Sequence, residues 1–113
     1  MMAAQSKGLL PLTLIASGAI RTNRFVKANG AEADATEAAI GVSQYAAADG
    51  EPVAVDTYGT AVVESGGVFS AGVQVESDAD GKAVVYSAGV INGRALQAST
   101  ASGQMVEILV LPK

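Results

Sequence analysis

Apolar and polar positions alternate along this chain in short bursts with a period of two. Pro52-Val53-Ala54-Val55-Asp56 is the cleanest case, and Val73 and Val75 alternate with Gln74 and Glu76 in the same way. A period of two places successive side chains on opposite faces, which is the signature of a strand. No stretch carries an apolar stripe at helical spacing over several turns. Turn residues cut the bursts at short, even intervals: Asn29-Gly30, Tyr58-Gly59, Ser65-Gly66-Gly67 and Ser77-Asp78-Ala79-Asp80-Gly81. Asp-Gly and Asn-Gly tolerate the positive φ that tight turns require. Short strands with regular turns predict an all-β chain, a small barrel or sandwich.

Taken in order, residues 1–11 read as an extended N-terminal arm, and residues 12–113 as a single β-rich domain. Leu12 to Ile15 is the first strand, entered through Pro11, where a missing N–H costs least. Arg24 to Ala28 follows, with Phe25 facing one way and its charged neighbours the other. Ala31 to Ala39 offers no large apolar residue for a helix to bury, so it reads as a loop with short strand pairing. Ile40 to Ser43 is a strand. Gln44 to Gly50 is predicted to form one helical turn closed by Gly50. Pro52–Asp56 and Thr60–Glu64 are strands. Val73–Glu76 and Lys82–Tyr86 form a hairpin across the Asp-Gly turn. Met105 to Leu111 is apolar nearly throughout, which predicts a buried strand stopped by Pro112.

The chain also echoes itself. Val26-Lys27-Ala28-Asn29-Gly30 lines up with Val75-Glu76-Ser77-Asp78 and Gly81. Residues 41–53 line up with residues 93–106 if one residue is inserted. Each copy reads strand, Ala-rich turn, Gly, an acidic or amide residue, then an alternating strand. A duplicated β-unit would explain this.

Composition changes the picture in two ways. At 113 residues the chain is one domain, and half of its residues are hydrophobic, but there are only two Phe, three Tyr and no Trp. A core of Val and Ala is thin in bulk, because burial free energy scales with apolar area. That predicts apolar surface covered by other chains. Second, the chain has no His and no Cys. The commonest general base, the thiol nucleophile and the soft metal ligand are therefore missing. Seven basic residues are scattered among eleven acidic ones, for a net charge of −4, so there is no basic patch for nucleic acid. The apolar run Leu9 to Ala19 follows Lys7 and resembles a signal peptide in part, but Pro11 breaks it and it is too short to span a membrane. The preferred reading is an arm followed by a strand.

The remaining chemistry is sparse. Asp78-x-Asp80-Gly81 is a fragment of an EF-hand loop, but the twelfth position is Gly89 rather than Glu, so a plain turn is the better reading. Glu32, Asp34 and Glu37 read as a solvated acidic loop. Gly89 to Gly93 lacks the Lys-Ser/Thr of a phosphate loop. Ser99, Thr100 and Ser102 have no His partner. Tyr45, Tyr58 and Tyr86 lack the surrounding cations of a base-stacking platform and read as strand or interface residues. No catalytic, cofactor-binding or metal-binding residue is assigned, and the chain is read as not an enzyme.

Several of these segments, in this order, resemble the capsid cement or decoration proteins encoded in tailed-phage and prophage head operons. They are Arg24–Lys27, Ile40–Ser43, Asp49–Val55, Gly59–Ala61, Ser77–Ala83, Gly93–Ala98, Ala101–Gln104 and Ile108–Pro112. The resemblance covers roughly residues 12–112. It implies a β-rich structural protein, made in the host cytoplasm, on the outer surface of the virion head. Its implied partners are the major capsid protein and further copies of itself, trimers favoured over dimers. No catalytic residues come with it. The Met1–Leu10 arm is expected to reach an adjacent subunit. The alternative is a β-rich binding module, virion-borne or secreted, for a carbohydrate or receptor.

Overall fold

Nearly every alternating burst becomes a strand. The computed structural model describes residues 7–8 and 11–110. They form β1 (Lys7–Gly8), β2 (Pro11–Ile15), β3 (Phe25–Val26), β4 (Gly41–Ser43), β5 (Pro52–Asp56), β6 (Gly59–Glu64), β7 (Gln74–Ser77), β8 (Ala83–Val85), β9 (Gly93–Ala95) and β10 (Met105–Val110). The strands pair antiparallel in two sheets, one ordered β1-β6-β10-β9-β7-β8 and the other β2-β5-β4-β3. The all-β expectation holds, as a two-sheet arrangement with no helix among the described residues.

The internal echo is present in the hydrogen bonds. Strands β2-β5-β4-β3 of the first half match β6-β10-β9-β7 of the second, in the same order. Ile20 and Ala47 exchange backbone bonds of 2.8 and 2.9 Å, as Phe69 and Ser99 do at 3.0 and 2.9 Å. Gly50 N–H donates to Ala16 C=O as Gly103 N–H donates to Ser65 C=O, each at 2.8 Å. A side-chain cap repeats as well: Ala48 N–H donates to Glu51 Oε1 and Thr100 N–H to Gln104 Oε1, both at 2.8 Å. The inserted residue falls between Thr100 and Gly103. Gly30 and Gly81 occupy matching turns with φ of 90° and 74°. The chain bends back at both with the same two bonds, Gly30 N–H to Lys27 C=O and Lys27 N–H to Ala31 C=O in one turn, Gly81 N–H to Asp78 C=O and Asp78 N–H to Lys82 C=O in the other, so Asp78 stands at the place of Lys27 and not of Asn29, as the sequence echo aligned it.

Each half has its own apolar centre. The first holds Ala16, Ile20, Val26, Ala47, Val53 and Val55. The second is larger, joining Val63, Phe69, Val75, Val106 and Ile108 to Phe25, Ala33, Ala39 and Val42 from the first half. The halves therefore meet through the face of the first sheet that carries Phe25 and Val42. The core is small in side-chain size but not loosely closed: the radius of gyration is 12.3 Å, against about 13 Å expected for a single domain of this length.

Three expectations need correction. Gln44 to Gly50 forms no helical turn. Ala47 instead spends its N–H and C=O on Ile20, so the segment is pinned as a bridge, and only the positive φ of Gly50 survives from the prediction. Arg24 does not face solvent: it is 7% exposed, and both Phe25 and Val26 beside it are fully buried. The last strand is not buried throughout, because Met105 and Leu109 point to its open face and are 47% and 37% exposed. Within the predicted arm, Lys7 and Gly8 pair with Thr60 and Gly59 of β6 in the same chain. The rest of the arm and the Pro112 stop lie outside the described residues.

Candidate interaction surface

The residues that sequence reading weighed for chemistry are distributed over the fold and mostly consumed by it. Asp78 Oδ1 accepts from Asp80 N–H at 2.8 Å and Lys82 N–H at 2.9 Å, the bonding of a turn. Glu32 is clasped by Arg21, whose Nη2 donates at 2.8 Å and whose backbone N–H donates at 2.7 Å. Burial pushes the Glu32 carboxyl up, but those bonds outweigh it and hold the group below the usual carboxylate range. The bond to Glu32 raises Arg21 in turn. Glu37 pairs with Lys27 at 3.2 Å, and Asp34 is exposed. The buried Ser99 hydroxyl lies 2.8 Å from that of Ser65 and 2.7 Å from Gly67 C=O. Tyr45, Tyr58 and Tyr86 are 47%, 46% and 37% exposed, on three separate connections.

Two carboxylates that sequence reading passed over hold the loops. Glu76 was read as the polar half of an alternation, yet it is buried. Its Oε1 accepts from Ser87, Ala88 and Gly89 N–H at 2.8, 3.3 and 3.1 Å. These bonds, led by Ser87, lower its pKa against the opposing effect of burial. Of the Gly89–Gly93 stretch weighed as a phosphate loop, only Gly89 takes part; the other two amides on this carboxylate belong to Ser87 and Ala88, before it. Glu64 joins the halves: Arg24 Nη2 lies 2.9 Å from one oxygen and Lys82 Nζ 3.2 Å from the other. The bond from Arg24 leads in depressing the Glu64 pKa. Neither role leaves a signal in the local sequence, since both partners are remote in the chain.

What remains open is a surface. On the outer face of β9 and β10, Leu109 lies opposite Arg94, and the next pair along is Glu107 opposite Leu96. Leu96 is 46% exposed, and Met105 at the start of β10 extends the apolar strip. Thr60 and Val62 of β6 continue the two rows on one side, and Gln74 of β7 continues the first row on the other. Arg94 donates to Gly72 C=O at 2.7 Å but has no carboxylate within 4 Å among the described residues. Every other cation with a described side chain has one. No group of three or more His, Cys, Asp or Glu suited to a metal occurs among the described residues. The arrangement offers adhesion through apolar contact and charge rather than a cradle for a reacting molecule.

Comparison with curated proteins returns no match. Among solved structures, the fold is similar to the N base of the head fiber gp8.5 of bacteriophage phi29. The TM-score is 0.73 at 19% identity, over 90% of this chain and 93% of that one. The sequence model of the phage cement protein family matches residues 4–111, nearly the whole length. The chain therefore belongs to the phage cement proteins, structural components of the virion capsid.

Proposed function

We propose that this protein decorates the outer surface of the assembled phage head and stabilises contacts between major capsid subunits, acting as a small homo-oligomer. The observation that carries this reading is the exposed Leu96, Leu109 and Met105 strip on a sheet rigidly hydrogen-bonded behind it. A ligand that binds only the assembled shell stabilises that state by mass action, and many copies add over the lattice. A surface of modest apolar area suits such repeated, individually weak contacts. The rival reading, recognition of a carbohydrate or receptor, wants an aromatic platform. Phe25 and Phe69 are buried, and the three tyrosines sit on different connections. The test is to mix purified protein with expanded, undecorated heads and image them. Regular surface density and a raised melting temperature of the heads are expected. Bare heads at micromolar protein would overturn the reading.

A further inference from the structure

Two Asn-Gly pairs occur in the chain, Asn29-Gly30 and Asn92-Gly93. Asparagine is a thermolabile side chain, and a following glycine leaves its backbone nitrogen uncrowded. That nitrogen can attack the asparagine Cγ as a nucleophile. The bond from the glycine nitrogen to Cγ forms, the Cγ–Nδ2 bond breaks, and ammonia leaves with the proton of the glycine N–H. Water then opens the cyclic imide at either carbonyl. One opening gives aspartate; the other gives isoaspartate, with the main chain rerouted through Cγ. The fold treats the two pairs differently. Asn92 is 1% exposed. Its Oδ1 accepts from Ala39 N–H at 3.0 Å, its Nδ2 donates to Glu37 C=O at 3.2 Å, and its N–H donates to Val75 C=O at 2.9 Å. Carbonyl and leaving group are both tied down, away from water.

Asn29 is exposed, and its Nδ2 has no hydrogen-bond partner among the described residues. Its Oδ1 accepts from Ala31 N–H at 3.0 Å. A donor there also stabilises the negative charge that develops on this oxygen as the nitrogen adds. We infer that Asn29 is a site of spontaneous self-modification, losing its amide to the Gly30 nitrogen and becoming aspartate or isoaspartate, while Asn92 stays intact. The brake is the turn itself. Gly30 N–H donates to Lys27 C=O at 3.0 Å and must let go before it attacks, so the rate follows local opening of the turn. The matching turn of the second half already shows the aspartate product. The residue before Gly81 is Asp80, in a turn closed by the same two backbone bonds. Isoaspartate is different, because it lengthens the backbone between those bonds. It also disturbs Gly30, whose C=O accepts from Ser17 N–H at 2.9 Å and whose Cα lies against Ile15 C=O. The isoaspartate form therefore loosens the hold of this turn on the end of β2.

The experiment holds the full chain at mildly alkaline pH for weeks and maps it by peptide mass spectrometry. Asn29 should convert about tenfold or more faster than Asn92, since an exposed turn opens more readily than a buried segment. In concentrated urea the two should convert at similar rates, because both are then plain Asn-Gly pairs. Asn29 unchanged in the folded chain while it converts in urea, or Asn92 converting as fast as Asn29 in the folded chain, would overturn the assignment. The two products are then compared. Asn29→Asp should melt within about 3 °C of the parent chain. The isoaspartate form, separated from aged protein, should exchange the Ser17 amide faster than the parent does. A destabilised Asn29→Asp would break the match to Asp80, and parent-like exchange at Ser17 would remove the loosening of β2.

Discussion

The first and second halves of this protein share a strand order, a set of turn bonds and a side-chain cap, yet they differ in what their sheets face. Val42 and Arg94 occupy matching positions, opposite Phe25 and Gln74. Val42 is sealed between the halves, and Arg94 is in solvent. The difference teaches that the repeat specifies the backbone, while the outward side chains specify which copy becomes the inner layer. A pair of bulky apolar residues turns one sheet face into an interface, and a charge with a polar neighbour keeps the other face out of the core.

The strongest way to break this comparison is to exchange the two residues. Val42→Arg buries an unpaired guanidinium in a site 1% exposed and should cost about 4 kcal/mol or more, enough to leave little folded protein. Arg94→Val should change stability by only about 0.5 kcal/mol. Chemical denaturation of the two variants settles it; equal effects would dissolve the distinction. Next in size, Phe25→Ala should cost about 3–5 kcal/mol and its counterpart Gln74→Ala well under 1 kcal/mol. A third pair sharpens the likeness of the turns. Gly30 and Gly81 both have positive φ, so alanine is strained at either, by about 1–2 kcal/mol. At Gly30 the added methyl also collides with Ile15 C=O, whereas at Gly81 its nearest contact is 3.3 Å, with Phe25 C=O. Gly30→Ala should therefore lower the melting temperature more than Gly81→Ala.

The smallest expected effect is one of pH. Glu76 in the second half has a depressed pKa, from the amides of the 87–89 loop. A depressed carboxyl contributes stability above its unfolded pKa, near 4.3. That contribution is lost as pH falls through the lower folded value. Melting temperature should therefore drop on acidification from pH 5 towards pH 3, and Glu76→Gln should flatten part of that drop. Hydrogen exchange at residues 87–89 should rise in the variant. An unchanged acid profile would remove Glu76 as the loop's latch.

By itself, the sequence determined where the strands lie and where the chain turns. Period-two alternation, Gly at positive-φ positions and the absence of helical stripes are local properties, and they carried the all-β fold, the hairpin of β7 and β8 and the repeat. Family membership was also legible, because the order of turn and strand motifs survives along the whole length. What only the tertiary structure decided is which face of each strand meets protein and which meets solvent. Met105 to Leu111 looks apolar nearly throughout in sequence, yet Met105 and Leu109 are exposed because they lie on the face of β10 turned away from the core. Glu76 looks like a solvent-facing residue, yet it is buried because three amides from another segment converge on it. Arg24 is buried because Glu64, forty residues away, neutralises it. Alternation says that neighbours point in opposite directions; it is silent on what lies in either direction, because burial and pairing come from segments brought together only when the sheets pack.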